Sequence, residues 1–439
     1  MRLPRLTSGD PNLRGVVRGA SVAFATRLGG AAAKFGQDLA VARLLGPSDA
    51  GAFFLAVTAA TVASTAGRLG LDNTVVRFSA SCAAMDDWPG VRGVGRRSLG
   101  ITLAGAAIAA LALAFAARAL GIRVFHDPNL VPVLIAMAVS VVPTSAYTIY
   151  GQLLKGIGRI GEGVSVLTAV APAIATVLTL ALAPAWGLMG AVAAYSAAAI
   201  GAWVVGLVRW NRAVPAATRG FPVPELLRSG FPLWVHSLLQ LVIRHGALVM
   251  LGIFASNSEV GVFGIAFRLA FAVSSVLIAV NASAAPRFSA LHAKGDLETL
   301  KQTARGSTFL MCVVAGPVLA VFVLFPDRIL SIYSPEFAAG GVLLAILAVG
   351  QFVNVATGSV QMLLMMTEQE DWIMRTTVLA ACLALFLNIA LIPRWGSTGA
   401  AVATSVVWIV QNLLVLVTVR WKLGFWVTPS LRAWRGTAA

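Results

Sequence analysis

The sequence predicts an all-α polytopic membrane protein: twelve transmembrane helices in two six-helix lobes related by a parallel internal repeat. Three observations lead there. The 439 residues are 58% hydrophobic and only 11% charged, with mean hydropathy +0.85, which is too apolar for a soluble chain of this length. Apolar stretches of about 20 residues recur, as a helix crossing a ~30 Å hydrocarbon core requires, whereas barrel strands would alternate over ~10 residues. Finally, short motifs of the first half return in the second at a constant offset.

Taken in order, the first lobe (residues 1–208) holds predicted spans at 16–42, 49–80, 98–120, 129–154, 160–183 and 187–208. The stretch "RWNRAVPAATRGFPVPELLRSG" (209–230) follows, and its three prolines and four arginines mark a cytoplasmic linker. The second lobe (231–439) holds spans at 231–255, 259–285, 305–325, 337–366, 373–392 and 396–419 and ends in a short cytoplasmic tail. The start, Met1 to Asn12, is polar and basic and runs into the first span without a cleavable signal, so the N-terminus is expected to stay in the cytoplasm. Cys82, Cys312 and Cys382 share no spacing that suggests a site and read as small packing residues, with neither metal nor disulfide.

With both termini inside, most of the 33 Lys and Arg residues fall on cytoplasmic segments, and only Arg43, Arg118, Arg123, Arg328 and Arg394 fall outside. The positive-inside rule therefore sets the orientation, and the net charge of +16 reads as topology and attraction to anionic membrane lipids. Nucleic acid is excluded as a partner, because the basic residues are scattered over short loops with no soluble domain to present them.

The repeat rests on four matches. "RFSA" occurs at Arg77 and again at Arg287, 210 positions on. "PAWGLMGAVAAYS" from Pro184 and "PRWGSTGAAVATS" from Pro393 share PxWGxxGAxxAxS at an offset of 209, and "DAGAF" from Asp49 faces "EVGVF" from Glu259 at 210. "QLL" at Gln152 faces "QML" at Gln361 at 209. Six helices per copy bring both copies into the membrane from the same side, as in transporters whose halves are related by an axis along the membrane normal. The glycines and alanines of these motifs suit close helix packing and the tryptophans suit the interface. "GIGRIG" (156–161) fits a nucleotide-loop pattern literally, but it sits in a short loop between membrane helices with no strand before it.

Five cations fall inside predicted spans: Arg27, Lys34, Arg68, Arg244 and Arg268. Each costs ~2.5 kcal/mol or more at mid-bilayer unless a partner, a wet cavity or a snorkelling route compensates it. Arg27, Lys34 and Asp38 are spaced by seven and four residues, one helical stripe on which Lys34 and Asp38 can pair. His236, Gln240 and Arg244 form a second stripe, and the repeat offset of 210 makes Lys34 and Arg244 equivalent. The expected cavity is cationic, with Arg27, Lys34, Gln240, Arg244 and Arg268 as substrate-binding candidates, and arginine's fork suits phosphate or pyrophosphate. Asp38, Asp72 and Glu162 are the candidates for ion coupling. No catalytic residue, metal site or cofactor is expected, and each RFSA arginine should emerge at the cytoplasmic headgroups.

"ARLLGPSDAGAFFLA" (42–56), "GRLGLDNTVVRFSA" (67–80), "LLKGIGRIG" (153–161) and "WGLMGAVAA" (186–194) together resemble polysaccharide-biosynthesis flippases of the Wzx type, in the multidrug/oligosaccharidyl-lipid/polysaccharide (MOP) exporter superfamily. That resemblance spans nearly the whole chain. It implies a MATE/MOP-like fold, a bacterial inner-membrane location, and export of an undecaprenyl-pyrophosphate-linked oligosaccharide driven by an ion gradient or the membrane potential. It also implies a polysaccharide polymerase and glycosyltransferases as pathway partners. The family's cavity arginines on the first and eighth helices correspond by position and type to Arg27 and Arg268. The alternative within the superfamily is an ion-coupled multidrug antiporter, for which Asp38 is the mid-span acid. A membrane glycan ligase would need a larger outer loop than "GIRVFHDPN" or "PDRILSIYSPEF", whose acids and His126 read as solvated.

Overall fold

A chain crossing hydrocarbon has no water to satisfy its peptide groups, and a helix pairs them within one segment. The computed structural model describes residues 11–367 and 369–430, with side chains from Thr26 onward save at scattered positions between 272 and 286 and at Glu370. The basic ends that carry Arg2, Arg5, Arg432 and Arg435, and with them the expected uncleaved start and short tail, lie outside the described residues.

Among the described residues every regular element is helical. Seven helices are long and apolar enough to cross a membrane, and the pair Leu130–Ala138 and Val141–Gly156, bent by 41°, makes one more crossing. Three of the seven contain a glycine in a non-helical conformation: Gly46 in Pro11–Gly67, Gly187 in Ala171–Ala213 and Gly396 in Glu370–Leu423. Each of these splits into two crossings, and Asn257–Val273 with Ser275–Ala293 supplies another, so the described residues hold twelve crossings.

The break at Gly46 falls in the gap between predicted spans, whereas Gly187 and Gly396 are the first residues of the predicted spans 187–208 and 396–419, so each turn reaches one residue past the expected boundary. Gly187 has φ 53, ψ −134 and Gly396 has φ 53, ψ −132, so the two repeats turn the chain with one backbone conformation that side-chain-bearing residues avoid. Three residues later, a methyl on Gly190 would sit 2.4 Å from Leu182 O, and one on Gly399 would sit 2.4 Å from Leu391 O. PxWGxxG is therefore a helix-to-helix turn: the first glycine reverses the chain and the second lets the new helix lie against the old. Trp186 and Trp395 remain 64% and 57% exposed, as interfacial anchors are.

Other predicted spans are interrupted. Span 49–80 breaks at Leu69 and Gly70, with φ 52 and 74. Span 259–285 breaks at Ser274, and 337–366 is divided by Thr357 to Ser359. At two of these interruptions neighbours distant in sequence approach closely: a methyl on Gly70 would lie 2.1 Å from Gly230 O, and one on Gly358 2.0 Å from Thr308 Oγ1. Hydropathy carries no trace of such an approach.

The chain forms two compact units. The first comprises Met1–Leu44, Ala59–Arg118 and Val131–Val235. Its core gathers Leu71, Val75, Val94, Ile149, Leu153 and Trp210, and Trp234 Nε1 donates to Ala66 O at 3.1 Å. Here the first RFSA lies inside the helix Leu71–Ala84, with Arg77 exposed and Ser79 buried. The second unit comprises Leu45–Thr58, Ala119–Leu130 and His236–Ala439. One of its cores joins Phe288 of the second RFSA to Leu300, Leu363 and Val415. Within this unit the helix after Pro47 crosses the helix Asn257–Val273 at a pair of repeat-equivalent glycines. A methyl on Gly51 would lie 1.9 Å from Asn257 O, and one on Gly261 would lie 2.0 Å from Pro47 O.

Candidate functional site

A charge inside a bilayer persists where neighbours or water compensate it, so the partners of each candidate decide what it can still bind. In the first unit, Lys34 Nζ stands 3.2 Å from Asp38 Oδ1 and donates to Gln37 Oε1 at 3.2 Å. Asp38 is turned inward, its side chain 7% exposed, while that of Lys34 is 41% exposed. Lys34 borders a small cavity of about 140 Å³ whose walls include Gln37, Tyr147 and Tyr195. Gln37 Nε2 is buried there without a hydrogen-bond partner, an unused donor beside a cation. Arg27, on the same stripe, is exposed.

The other first-unit acids sit elsewhere. Asp72 takes Arg68 Nε at 3.3 Å, and the rest of that guanidinium is spread over Ser64 Oγ at 2.6 Å and Thr65 Oγ1 at 3.0 Å. Ser64 in turn meets Ser145 Oγ at 2.9 Å, so Arg68 and Asp72 form a brace between helices. Glu162 pairs with Arg159 at 2.8 Å in a half-exposed setting, its side chain 36% accessible.

In the second unit, the helix Val223–Phe254 carries His236, Gln240 and Arg244 at four-residue steps. Gln240 is half-buried and Arg244 exposed, with its guanidinium 5.9 Å from the Phe271 ring centre. Among the described residues Arg244 has no carboxylate in ion-pair range. Arg268 lies 4.0 Å above the ring of Phe54, which is fully buried. A cation over a ring in a desolvated setting is stabilised by ~2 kcal/mol, and that face of Phe54 orients Arg268.

The structure thus brings Lys34 and Asp38 together, separates Asp72 and Glu162 from them, and sets Gln240 and Arg244 on one helical stripe. Sequence reasoning passed over Gln37 although it lies three residues from Lys34 on the same stripe, a signal that was available. Phe54 gave none, being one apolar residue in an apolar run. No three of His, Cys, Asp and Glu gather as metal ligands among the described residues, and Cys82, Cys312 and Cys382 are free thiols.

Known proteins resemble this chain in sequence and in fold. Two from Haloferax volcanii align with it: "Probable flippase AglR", 28% identical over 39% of this chain, and "Probable low-salt glycan biosynthesis flippase Agl15", 30% identical over 38%. These alignments take in 37% and 36% of the relatives' own lengths, so the chain spans little over a third of the curated relatives it matches. Among solved structures, an inward-facing multidrug resistance transporter of the MATE family superposes with TM-score 0.73 at 15% identity, over 96% of this chain and 100% of its own. The lipid II flippase MurJ, inward closed, gives 0.71 at 13% identity over 95% and 89%. At such identities the likeness is one of fold. The MatE family profile matches residues 232–390. The profile described as "Polysaccharide biosynthesis protein" matches residues 16–292, well over half of the chain, which therefore belongs to the polysaccharide biosynthesis protein family.

Proposed function

We propose that this chain is an alternating-access flippase that moves an undecaprenyl-pyrophosphate-linked oligosaccharide from the cytoplasmic to the outer leaflet for polysaccharide biosynthesis. Each six-helix repeat acts as one lobe, with 209–230 as the cytoplasmic linker and both termini in the cytoplasm of a bacterial inner membrane. The pyrophosphate is held by Arg27, Lys34, Gln240, Arg244 and Arg268, and the lipid tail stays in the bilayer. The protein is a transporter rather than a catalyst, and the polymerase and glycosyltransferases of the same pathway are its partners. The observation that carries this reading is Arg244, a guanidinium in an apolar helix, exposed and without a carboxylate partner among the described residues. Such a group is costly unless an anion or water meets it. Of the three acids, Asp38 is the preferred coupling group, because its partner Lys34 borders a cavity and is 41% exposed, whereas Arg68, the partner of Asp72, is only 11% exposed.

In a strain whose surface glycan depends on this chain, Arg244→Ala with Arg268→Ala should reduce export at least tenfold at equal membrane abundance, and Arg244→Lys should restore part of it. Full export by the double variant would refute the cationic site. The MatE match over 232–390 favours a second reading, an ion-coupled multidrug antiporter. Gradient-dependent efflux of a cationic dye, abolished by Asp38→Asn, would favour it over glycan export.

A further inference from the structure

The helix Trp88–Ala119 begins in the first unit with an unusual concentration of charge: Arg92, Arg96 and Arg97 within its first ten residues. A residue of the linker lies across it. Arg219 N donates to Pro89 O at 2.9 Å, and its guanidinium is held by the Asp87 carboxylate, which also caps the helix by accepting from Gly90 N at 3.0 Å. Gly93 sits directly under this strap, where a methyl would overlap Arg219 O at 2.0 Å.

Between helix and linker lies a cleft of about 680 Å³, bordered by Arg96, Arg97, Thr218 and Arg219 and continuing over Ile101, Ala104 and Val223. Arg96 and Thr218 also border an adjoining cavity of about 370 Å³, where Arg92 stands beside Tyr150 and Asn211. Asp87, an acid beside the strap, is already occupied by Arg219. Arg92, Arg96 and Arg97 have no carboxylate partner among the described residues, and Arg92 Nη1 is buried without any hydrogen-bond partner. A buried guanidinium donor left unmatched costs ~1–3 kcal/mol, more than an exposed one would, so the arrangement favours an anion that supplies the acceptor.

We propose that this cleft binds the phosphate group of a membrane lipid. Arg96 and Arg97 in the cleft, with Arg92 in the cavity that adjoins it, match a multiply charged phosphate or pyrophosphate, and six residues of helix keep them within ~8 Å along its axis. The apolar continuation past Ile101 and Ala104 suits the first methylenes of a lipid tail, which a free nucleotide or sugar phosphate lacks. The volume lies in the range of small-molecule sites, ~300–1,000 Å³. On the orientation the sequence predicts, the site faces the cytoplasmic leaflet, where headgroups are anionic, and it stands whether or not the chain carries a glycan. Two sources share this chemistry: a bilayer phospholipid and a prenyl pyrophosphate.

The test is native mass spectrometry of the purified full chain titrated with phosphatidylglycerol, with farnesyl pyrophosphate, and with farnesol as the uncharged control. Arg92→Gln/Arg96→Gln/Arg97→Gln should weaken binding of at least one phosphate lipid by tenfold or more and leave farnesol unchanged. A control that removes the same charge elsewhere, Arg77→Gln/Arg287→Gln/Arg420→Gln, should change it by less than about twofold. Which probe loses affinity identifies the source. Gly100→Trp gives a second, charge-neutral arm: Gly100 borders the cleft with no atom within 4 Å of a Cβ, so the indole fills the site without displacing any arginine, and it should weaken binding to a similar extent. Equal losses in the two triple variants, no loss in either site variant, or no phosphate-lipid binding by the wild type would overturn the proposal.

Discussion

Single residues here divide by whether their charge is already matched. Arg68 has every guanidinium nitrogen engaged, by Asp72, Ser64 and Thr65, and its side chain is only 11% exposed. Removing one partner of such a buried pair leaves the other uncompensated, at roughly 3 kcal/mol. Asp72→Ala should therefore lower the melting temperature of the purified protein by several degrees, and a variant that melts like the wild type would show the brace to be slack. Asp296 is the contrasting case at the surface. Its carboxylate caps the helix Leu297–Leu324 by accepting from Thr299 N at 3.0 Å, and that backbone N–H holds its pKa below the usual carboxylate range. A carboxyl depressed in the folded state contributes above its unfolded pKa, about 4, and the contribution fades as pH falls through the folded value. Amide exchange at Thr299, corrected for intrinsic rates, should accelerate on acidification in the wild type, whereas Asp296→Asn, which keeps an acceptor without titrating, should remove that pH dependence.

At the scale of elements, the WG turns are the test of the repeat. Because Gly187 and Gly396 share φ 53 with ψ near −133, alanine at either position must take a conformation that L-residues resist, at ~1–3 kcal/mol. Gly187→Ala and Gly396→Ala should each lower thermal stability, Gly396→Ala by at least as much, since the Glu259 carboxylate must also give way there. Gly187 is the cleaner site, with no atom within 4 Å of an added Cβ, while at Gly396 the Glu259 carboxylate lies 2.8 Å away and also accepts from Ser397 N at 3.2 Å. The contrast also marks how far sequence reaches. Hydropathy placed a boundary at both turns, while the motif PxWGxxG read as close packing and interfacial anchoring, so the reversal at its first glycine went unread. The interruptions at Gly70 and Gly358 were invisible, because they answer to neighbours distant in sequence. For the same reason Lys34 with Asp38 was readable as a one-turn pair, while the stacking of Arg268 on Phe54 was not: 214 positions separate them, and an apolar ring in an apolar run announces nothing.

For the whole molecule, the crossing at Gly51 and Gly261 matters most, because it ties a segment of the first repeat to the second repeat within one compact unit. Pro47 and Asn257 are themselves 210 positions apart, as are Gly51 and Gly261. The contact is thus reciprocal: each glycine faces the carbonyl of the residue equivalent to the one its partner faces, as in an isologous dimer interface. Asn257 adds a side-chain tie, donating from Nδ2 to Asp127 Oδ2 at 2.7 Å, so the loop at Asp127 is fastened to the same crossing. Helices in hydrocarbon associate through close packing of small residues, and here the backbones are already too near to admit a methyl. Gly51→Leu and Gly261→Leu should each force the crossing apart. If alternating access requires this contact to form and release, both variants should lose the proposed glycan export while remaining in the membrane, and a cysteine placed at Ala52, now buried, should become reactive to a membrane-impermeant maleimide in the Gly261→Leu background. The reciprocity makes a sharper demand than either loss alone: the two substitutions must act alike and, because they disrupt one contact, the double variant must be no worse than each single one. Additive losses would mean that the glycines serve two separate packings, and the symmetry would then be a record of duplication without a present mechanical role.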